Sequence, residues 1–89
     1  MNSEFTAKTI IKLIGEKHNG DIDTEFEADG CYRVLFGDYC VSIYVNSNII
    51  TPEVYNFQND DAYSCEFDTK SETYTNMRVF EYIESIIKD

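Results

Sequence analysis

The sequence predicts an α+β domain: an antiparallel meander of four or five strands flanked by an N-terminal and a C-terminal helix. Two observations predict it. Apolar residues recur with a helical period in residues 3–17 and 71–88, and they alternate with a period of two in much of the stretch between. Eighty-nine residues correspond to one small domain, 1–89. Strands joined by short turns are most simply antiparallel, which leaves one face of the sheet for both helices.

Both predicted helices carry an apolar stripe, because their apolar side chains recur three and four positions apart. The stripes comprise Ala7, Ile10, Ile11 and Ile14 in the first helix, and Met77, Phe80, Ile83, Ile86 and Ile87 in the second. Gly20 is suited to ending the first helix, since glycine readily adopts the left-handed conformation found after helix C-termini.

The stretch from Asp21 to Gly30 has an acidic residue at every odd position, and the positions between are mostly apolar. This alternation predicts a half-buried strand over about 21–28. One face of the strand then packs on the core, and the other carries a row of carboxylates. The acidic residues of the row are Asp21, Asp23, Glu25, Glu27 and Asp29.

The next two strands are predicted at Cys31–Phe36 and Tyr39–Val45, because both segments are rich in β-branched and aromatic residues. Gly37 followed by Asp38 fits a two-residue type II′ hairpin turn. That turn pairs Phe36 with Tyr39, so one face of the hairpin is entirely apolar or aromatic.

The register of the first hairpin follows from the cost of burying charge. A two-residue loop at 29–30 places Glu25 opposite Val34, on the core face, where an unpaired carboxylate is costly. A three-residue loop at 28–30 instead places Glu25 opposite Arg33, with Gly30 in the left-handed conformation. We predict the second register.

The later strands are predicted at Ile49–Gln58 and Ala62–Asp68. Pro52 indicates that the first of these is an edge strand or starts late, because proline cannot donate a ladder hydrogen bond. The second alternates again and turns Glu66 and Asp68 outward. The predicted core comprises Ile10, Ile14, Phe26, Tyr32, Val34, Phe36, Val41, Ile43, Phe67, Phe80, Ile83 and Ile87.

The net charge of −10 is concentrated in the middle of the chain. Residues 18–69 hold eleven acidic residues and one basic residue, Arg33. Such a field repels nucleic acid and anionic membranes and attracts basic protein surfaces. No apolar run approaches the roughly 18 residues of a membrane span. We expect a cytoplasmic protein, because no signal segment is recognisable and the three cysteines show no paired spacing.

Metal binding and catalysis are poorly supported by the motifs. Asp21-x-Asp23-x-Glu25 begins like a calcium loop, but Phe26 stands where the loop needs glycine and Tyr32 where it needs glutamate. The cysteines and His18 do not have zinc-ligand spacing, and no glycine-rich phosphate loop occurs. We therefore expect a non-enzymatic protein with no metal and no cofactor.

A short, acidic, single-domain chain with its charge on one surface resembles the small phage-encoded inhibitors that mimic nucleic acid, such as anti-CRISPR, anti-restriction and DNA-glycosylase inhibitor proteins. The resemblance rests on size and charge and on no motif. It implies an inhibitor or regulator that occupies the basic nucleic-acid-binding surface of a partner, such as a nuclease, a polymerase or a CRISPR effector. It implies no direct contact with nucleic acid or membrane.

The predicted partner-binding residues lie on the acidic sheet face. Alternate carboxylates on a strand repeat every ~6.6 Å, and phosphates rise ~3.4 Å per step along each nucleic-acid strand. Tyr44 would add a non-electrostatic contact. The predicted set is Asp21, Asp23, Glu25, Glu27, Asp29, Tyr44, Glu66 and Asp68. Three alternatives remain open. The charged face could only keep the protein soluble; the chain could be a generic protein–protein interaction module, including a homodimer that uses the strand of Pro52 or a sheet face; or it could be a small enzyme or metal protein.

Overall fold

A computed structural model describes residues 3–23 and 30–87. Within these residues the chain forms six strands and two helices, in an antiparallel sheet ordered β1-β2-β3-β4-β5, with β6 also paired to β4. The elements are α1 (Ser3–His18), β1 (Asp21–Asp23), β2 (Cys31–Phe36), β3 (Tyr39–Asn46), β4 (Ile49–Asn56), β5 (Asp61–Ser64), β6 (Phe67–Asp68) and α2 (Asn76–Ile86). The predicted α+β meander between two helices is confirmed.

Helix α1 ends in a tight turn whose left-handed residue is Asn19, with φ 56°, and not Gly20 as predicted. Asparagine tolerates this conformation better than most residues. Gly20 donates its N–H to the Gly15 carbonyl at 2.8 Å. A Cβ atom at Gly20 would lie 2.8 Å from Val34 Cγ2 and 3.0 Å from the Leu35 carbonyl oxygen. Glycine is therefore required by the close approach of the chain to β2.

Helix α2 is shorter than predicted and begins at Asn76. Thr75 is its N-cap, since the Thr75 hydroxyl accepts a hydrogen bond from the Arg78 N–H at 3.2 Å. Threonine favours this position because its side chain satisfies a backbone donor that has no partner within the helix. The preceding residues form a turn in which the Tyr74 N–H donates to the Ser71 carbonyl at 3.1 Å. Apolar periodicity alone did not separate this turn from the helix.

The hairpin of β2 and β3 has the predicted register. Phe36 pairs with Tyr39, and Tyr32 pairs with Ile43. Gly37 has a φ of 53°, as the first position of a II′ turn requires.

Strand β1 pairs with β2 in a register two residues away from the predicted one. Asp23, and not Glu25, lies opposite Arg33, and Ile22 lies opposite Val34. A shift of two residues keeps every side chain on its original face, so the alternation could not distinguish these registers. Gly30 has the predicted positive φ, 69°. Phe26 and the predicted three-residue loop lie outside the described residues.

Strand β4 is an interior strand, paired with β3 on one side and with β5 and β6 on the other, so the expectation drawn from Pro52 was wrong. The Pro52 carbonyl accepts a hydrogen bond from the Cys65 N–H at 3.4 Å. The Pro52 ring nitrogen carries no hydrogen, so Pro52 cannot donate the second hydrogen bond of this pair. The hydrogen-bond ladder along this side of β4 is interrupted between β5 and β6. There Cys65 and Glu66 lie opposite Pro52 and Thr51. The missing donor thus interrupts the neighbour of β4 and not β4 itself.

The core lies between the two helices and one face of the sheet. Eight predicted core residues are buried: Ile10, Ile14, Tyr32, Val34, Val41, Ile43, Ile83 and Ile87. Phe36, Phe67 and Phe80 are only partly buried and pack against the edge of the core. The prediction missed Ala7, Ile11, Ile50, Val54 and Val79, which are also buried. Ile50 and Val54 were missed because Pro52 led us to place their strand at the edge.

Candidate functional site

The outer face, defined as the sheet face turned away from α1 and α2, carries the predicted site. Side chains alternate between the two faces along a strand, so the residues next to the buried Val34, Val41 and Val54 face outward. Its charged and aromatic residues in the described strands are Asp21, Asp23, Arg33, Tyr44, Glu53, Tyr55 and Asp68. Glu66 lies in the break between β5 and β6, in line with this face.

The predicted acidic residues fall on two flanks of the outer face. Asp21 and Asp23 lie on β1 at one edge, and Glu66 and Asp68 lie at the β6 edge. Asp21, Glu66 and Asp68 are exposed, and Asp23 is half-buried. Glu25, Glu27 and Asp29 lie outside the described residues. The described carboxylates therefore do not form one continuous row.

A polar row crosses the centre of the outer face. Cross-strand pairing aligns Asp23 with Arg33, Arg33 with Ser42, and Ser42 with Glu53. The Arg33 Nε–H donates to the Ser42 hydroxyl at 3.0 Å. Sequence reasoning missed Glu53, although the buried Ile50, Pro52 and Val54 imply that Glu53 points outward.

Tyr44 is on the outer face and is 39% exposed. It pairs with Cys31 on β2 and with Thr51 on β4, one step along the strands from the polar row. The structure thus places Tyr44 between the two acidic flanks. Its aromatic surface is available to a partner that also meets the carboxylates.

Asp68 is committed to local structure in addition to carrying charge. Its carboxylate accepts hydrogen bonds from the Lys70 N–H at 2.9 Å and from the Asn48 side-chain amide at 2.6 Å. These bonds hold the pKa of the Asp68 carboxyl below its usual value. Asp68 therefore stays ionised and also fixes the turn after β6 against the turn between β3 and β4.

Cys31, on the outer face, is a poor nucleophile. Burial raises the pKa of the Cys31 thiol, and the nearby Cys40, Glu53 and Asp23 add to the shift against the opposing charge of Arg33. A thiol with a raised pKa remains protonated at neutral pH, and the thiolate is the reactive form. Cys40 is also buried, whereas Cys65 is exposed. Because Cys31 and Cys40 are buried, we interpret them as small apolar residues that fill space between neighbouring side chains.

A further acidic region lies at the end of the sheet, at the turns after β2 and β4, where Asp38, Asp60 and Asp61 are exposed. The Tyr55 hydroxyl donates a short hydrogen bond to the Asp60 carboxylate, and this bond raises the pKa of the Tyr55 phenol. The Phe57 N–H donates to the Asp38 carbonyl at 2.8 Å and ties the two turns together. The sequence predicted the turn at Asp38 and did not show that it adjoins the turn at Asp60.

The helix side carries a compact charge cluster. Glu84 on α2 accepts a hydrogen bond from the His18 imidazole at 2.7 Å and pairs with the Lys17 ammonium at 2.5 Å. Burial favours the neutral carboxyl of Glu84, but its two partners outweigh burial and lower its pKa. His18 stacks on Phe36, with ring centroids 4.5 Å apart. The cluster ties the C-terminal end of α1 to α2.

Residues 3–23 and 30–87 contain no group of three histidine, cysteine or acidic side chains placed to hold a metal ion. Neither described helix is long and apolar enough to cross a membrane.

Comparison of the chain with protein-family models, curated proteins and solved structures gave no match.

Proposed function

We propose that this protein is a non-enzymatic inhibitor or regulator that binds the basic nucleic-acid-binding surface of a partner protein through its outer face. The proposal is carried by one observation. The helices cover one face of the sheet, and the uncovered face bears Asp21 and Asp23 on one flank and Glu66 and Asp68 on the other. On the described strands of this face, Arg33 is the one basic residue.

The spacing of the two flanks supports a nucleic-acid mimic. Strands β1 and β6 are separated by β2, β3 and β4, which puts the flanks ~19 Å apart at ~4.8 Å per strand. Within each flank, two carboxylates lie two residues apart, a distance of ~6.6 Å. Two separated lines of negative charge are the feature that a duplex presents through its two phosphate strands.

The centre of the outer face supports contacts other than Coulomb attraction. Tyr44 is exposed there, and tyrosine is enriched among residues that dominate binding energy. Arg33 lies in the same cross-strand row as Asp23 and Glu53, whose negative charges offset its repulsion of a basic partner. Charge on the flanks would steer encounter, and the central contacts would slow dissociation.

The test compares two double variants that change charge equally. Asp21→Lys with Glu66→Lys reverses one exposed carboxylate on each flank. Glu16→Lys with Glu81→Lys reverses two exposed carboxylates on the helices. Asp68 and Glu84 are left intact because their carboxylates hold local structure.

The measurement is displacement of a fluorescent DNA duplex from purified basic proteins: a nuclease, a polymerase and a CRISPR effector. We expect the parent chain to displace the duplex from at least one of them, with an effect that weakens steeply as salt rises. The outer-face variant should lose this effect and the helix variant should keep it. Equal displacement by the two variants, or none by the parent chain, would contradict the proposal.

The alternative is a protein–protein interaction module that forms a homodimer through its helices. It is favoured by the apolar side chains exposed on the helix layer, where Phe5 is 70% exposed, Leu13 49% and Met77 59%. Exposed apolar patches often mark interfaces. Sedimentation equilibrium separates the two functions, because a dimer of this kind would have twice the monomer mass and depend little on salt.

A further inference from the structure

A cleft of about 480 Å³ opens on the helix side of the sheet, beside the C-terminal turn of α2. Its walls and floor include Tyr39, Val54, Asn56, Asp61, Tyr63 and Ser85. The volume is in the range of small-molecule sites, roughly 300–1,000 Å³. Because it lies on the opposite side of the sheet from the outer face, the cleft is a separate site from the one proposed above.

The cleft exists because β5 extends beyond the cover that α2 provides. Tyr39, Asn56 and Asp61 lie side by side on three adjacent strands, and Val54 pairs with Tyr63 one step away. Helix α2 ends at Ile86, so Tyr63 on β5 remains 49% exposed. The result is a channel over β4 with a tyrosine on either side.

Tyr63 and Asp61 are positioned to hold a planar cation together. They lie two residues apart on the same face of β5, a distance of ~6.6 Å, whereas Tyr39 lies across β4 in the row of Asp61. A planar group that stacks on Tyr63 at ~3.5 Å is therefore within reach of the Asp61 carboxylate. Tyr39 is supported from behind by Phe36, with ring centroids 6.1 Å apart.

The charge of the cleft selects a cation. Asp61 is exposed at its edge and makes no ion pair with any other described residue. Asp60 precedes it in the turn. The faces of aromatic rings attract cations, and arginine stacks on them while its guanidinium donates hydrogen bonds to carboxylates. A neutral planar ligand would gain the stacking without the charge attraction.

We propose that this cleft binds a guanidinium group, stacked on Tyr63 and paired with the Asp61 carboxylate, with Tyr39 on the opposite wall. The group belongs either to an arginine side chain of a protein or to a free small molecule. The Asn56 and Asn59 side chains shape the turn around Asp61, since their oxygens accept hydrogen bonds from the Gln58 N–H at 2.8 Å and the Asp61 N–H at 3.0 Å.

The experiment is a titration of the isotope-labelled protein followed by amide NMR shifts. Methylguanidinium is the cationic probe, and methylurea is its uncharged planar counterpart. We expect millimolar binding of methylguanidinium, with shifts confined to residues around the cleft, and no matching shifts with methylurea. Equal responses to both probes, or shifts that map away from the cleft, would overturn the proposal.

Three single variants assign the roles. Asp61→Asn should weaken methylguanidinium binding about tenfold, the loss expected for one charge-assisted hydrogen bond. Tyr63→Leu should weaken it about two- to fivefold, as for one exposed cation–π contact. Glu81→Gln removes the same charge from an exposed position on α2 and should leave binding unchanged. An unchanged affinity in Asp61→Asn, with an intact circular dichroism spectrum, would overturn the proposal.

A second arm identifies the source of the group. A capped Gly-Arg-Gly peptide that binds at least tenfold tighter than methylguanidinium supports an arginine side chain as the ligand. Equal affinities support a site for a free guanidinium compound. Loss of outer-face binding in the charge-reversed double variant bears on the proposed function alone, because Asp21 and Glu66 do not line the cleft.

Discussion

The two faces of the sheet bury their central residues by different means. On β3, Ile43 faces the helices and is fully buried under an apolar layer. Its neighbour Ser42 faces outward, away from α1 and α2, and is still only 2% exposed. Ser42 accepts a hydrogen bond from Arg33. One face is thus closed by a second layer of structure, and the centre of the other by side chains that pair across strands.

This contrast shows which part of the molecule is committed to folding. The helix-facing layer is apolar and gains stability in proportion to the area that it removes from water. At the centre of the outer face, polar side chains form hydrogen bonds with one another, and on its flanks carboxylates are exposed. Like charges on one face repel one another, and this is why the proposed function is assigned to the outer face.

The largest expected effect comes from breaking the covered face. Ile43→Ala should reduce the free energy of unfolding by ~2–5 kcal/mol, because it leaves a cavity in the core. Tyr44→Ala, one residue along the same strand but on the outer face, should cost about 1 kcal/mol or less. Urea unfolding measures both. Similar losses at the two positions would show that the outer face is packed like the core.

The sequence predicted the covered face well, because alternation and helical periodicity both report burial against a second layer. Val34, Val41 and Ile83 could be assigned from pattern alone. What it could not predict was set by hydrogen bonding across strands. The pairing of Asp23 with Arg33 depends on register, and a two-residue shift leaves the pattern unchanged.

The position of β4 was missed for a related reason. The absent N–H of Pro52 is a local property, but its consequence falls on the facing strand, at Cys65 and Glu66. The candidate site was predicted in part. Asp21, Asp23, Tyr44 and Asp68 lie on the outer face as expected, whereas Glu53 and the cleft beside Asp61 emerged only from the way the strands pair.

An intermediate effect should come from the polar row at the centre of the outer face. Arg33→Met keeps most of the side-chain volume but removes the donor to Ser42, and should cost ~1–2 kcal/mol because the buried hydroxyl is left with only a weak contact to Cys40 Sγ at 3.9 Å. A double-mutant cycle with Ser42→Ala isolates the bond, and we expect a coupling of ~1 kcal/mol. Additive losses would mean that Arg33 stabilises the face by other contacts.

The smallest expected effect tests whether charge on the covered side is structural. Glu84 has a lowered pKa in the folded protein because the His18 imidazole donates to its carboxylate and the Lys17 ammonium forms an ion pair with it. Its ionised form is therefore favoured by folding. The resulting stability is present above the unfolded-state pKa, near 4.5, and is lost as the pH falls through the lower folded-state pKa. Glu84→Gln removes this contribution and should cost roughly 0.5–1 kcal/mol at pH 7, a modest value because water screens partly exposed pairs.

The difference between the Glu84→Gln variant and the parent chain should shrink as the pH falls below 4.5, because the parent carboxyl then becomes neutral as well. Urea unfolding at pH 7 and at two acidic pH values measures this, and Glu81→Gln, exposed on the same helix, is the control with no expected pH dependence. A Glu84→Gln loss that stayed constant across this range would show that the residue stabilises the helices by packing, and that charge on the covered side is no more structural than charge on the outer flanks.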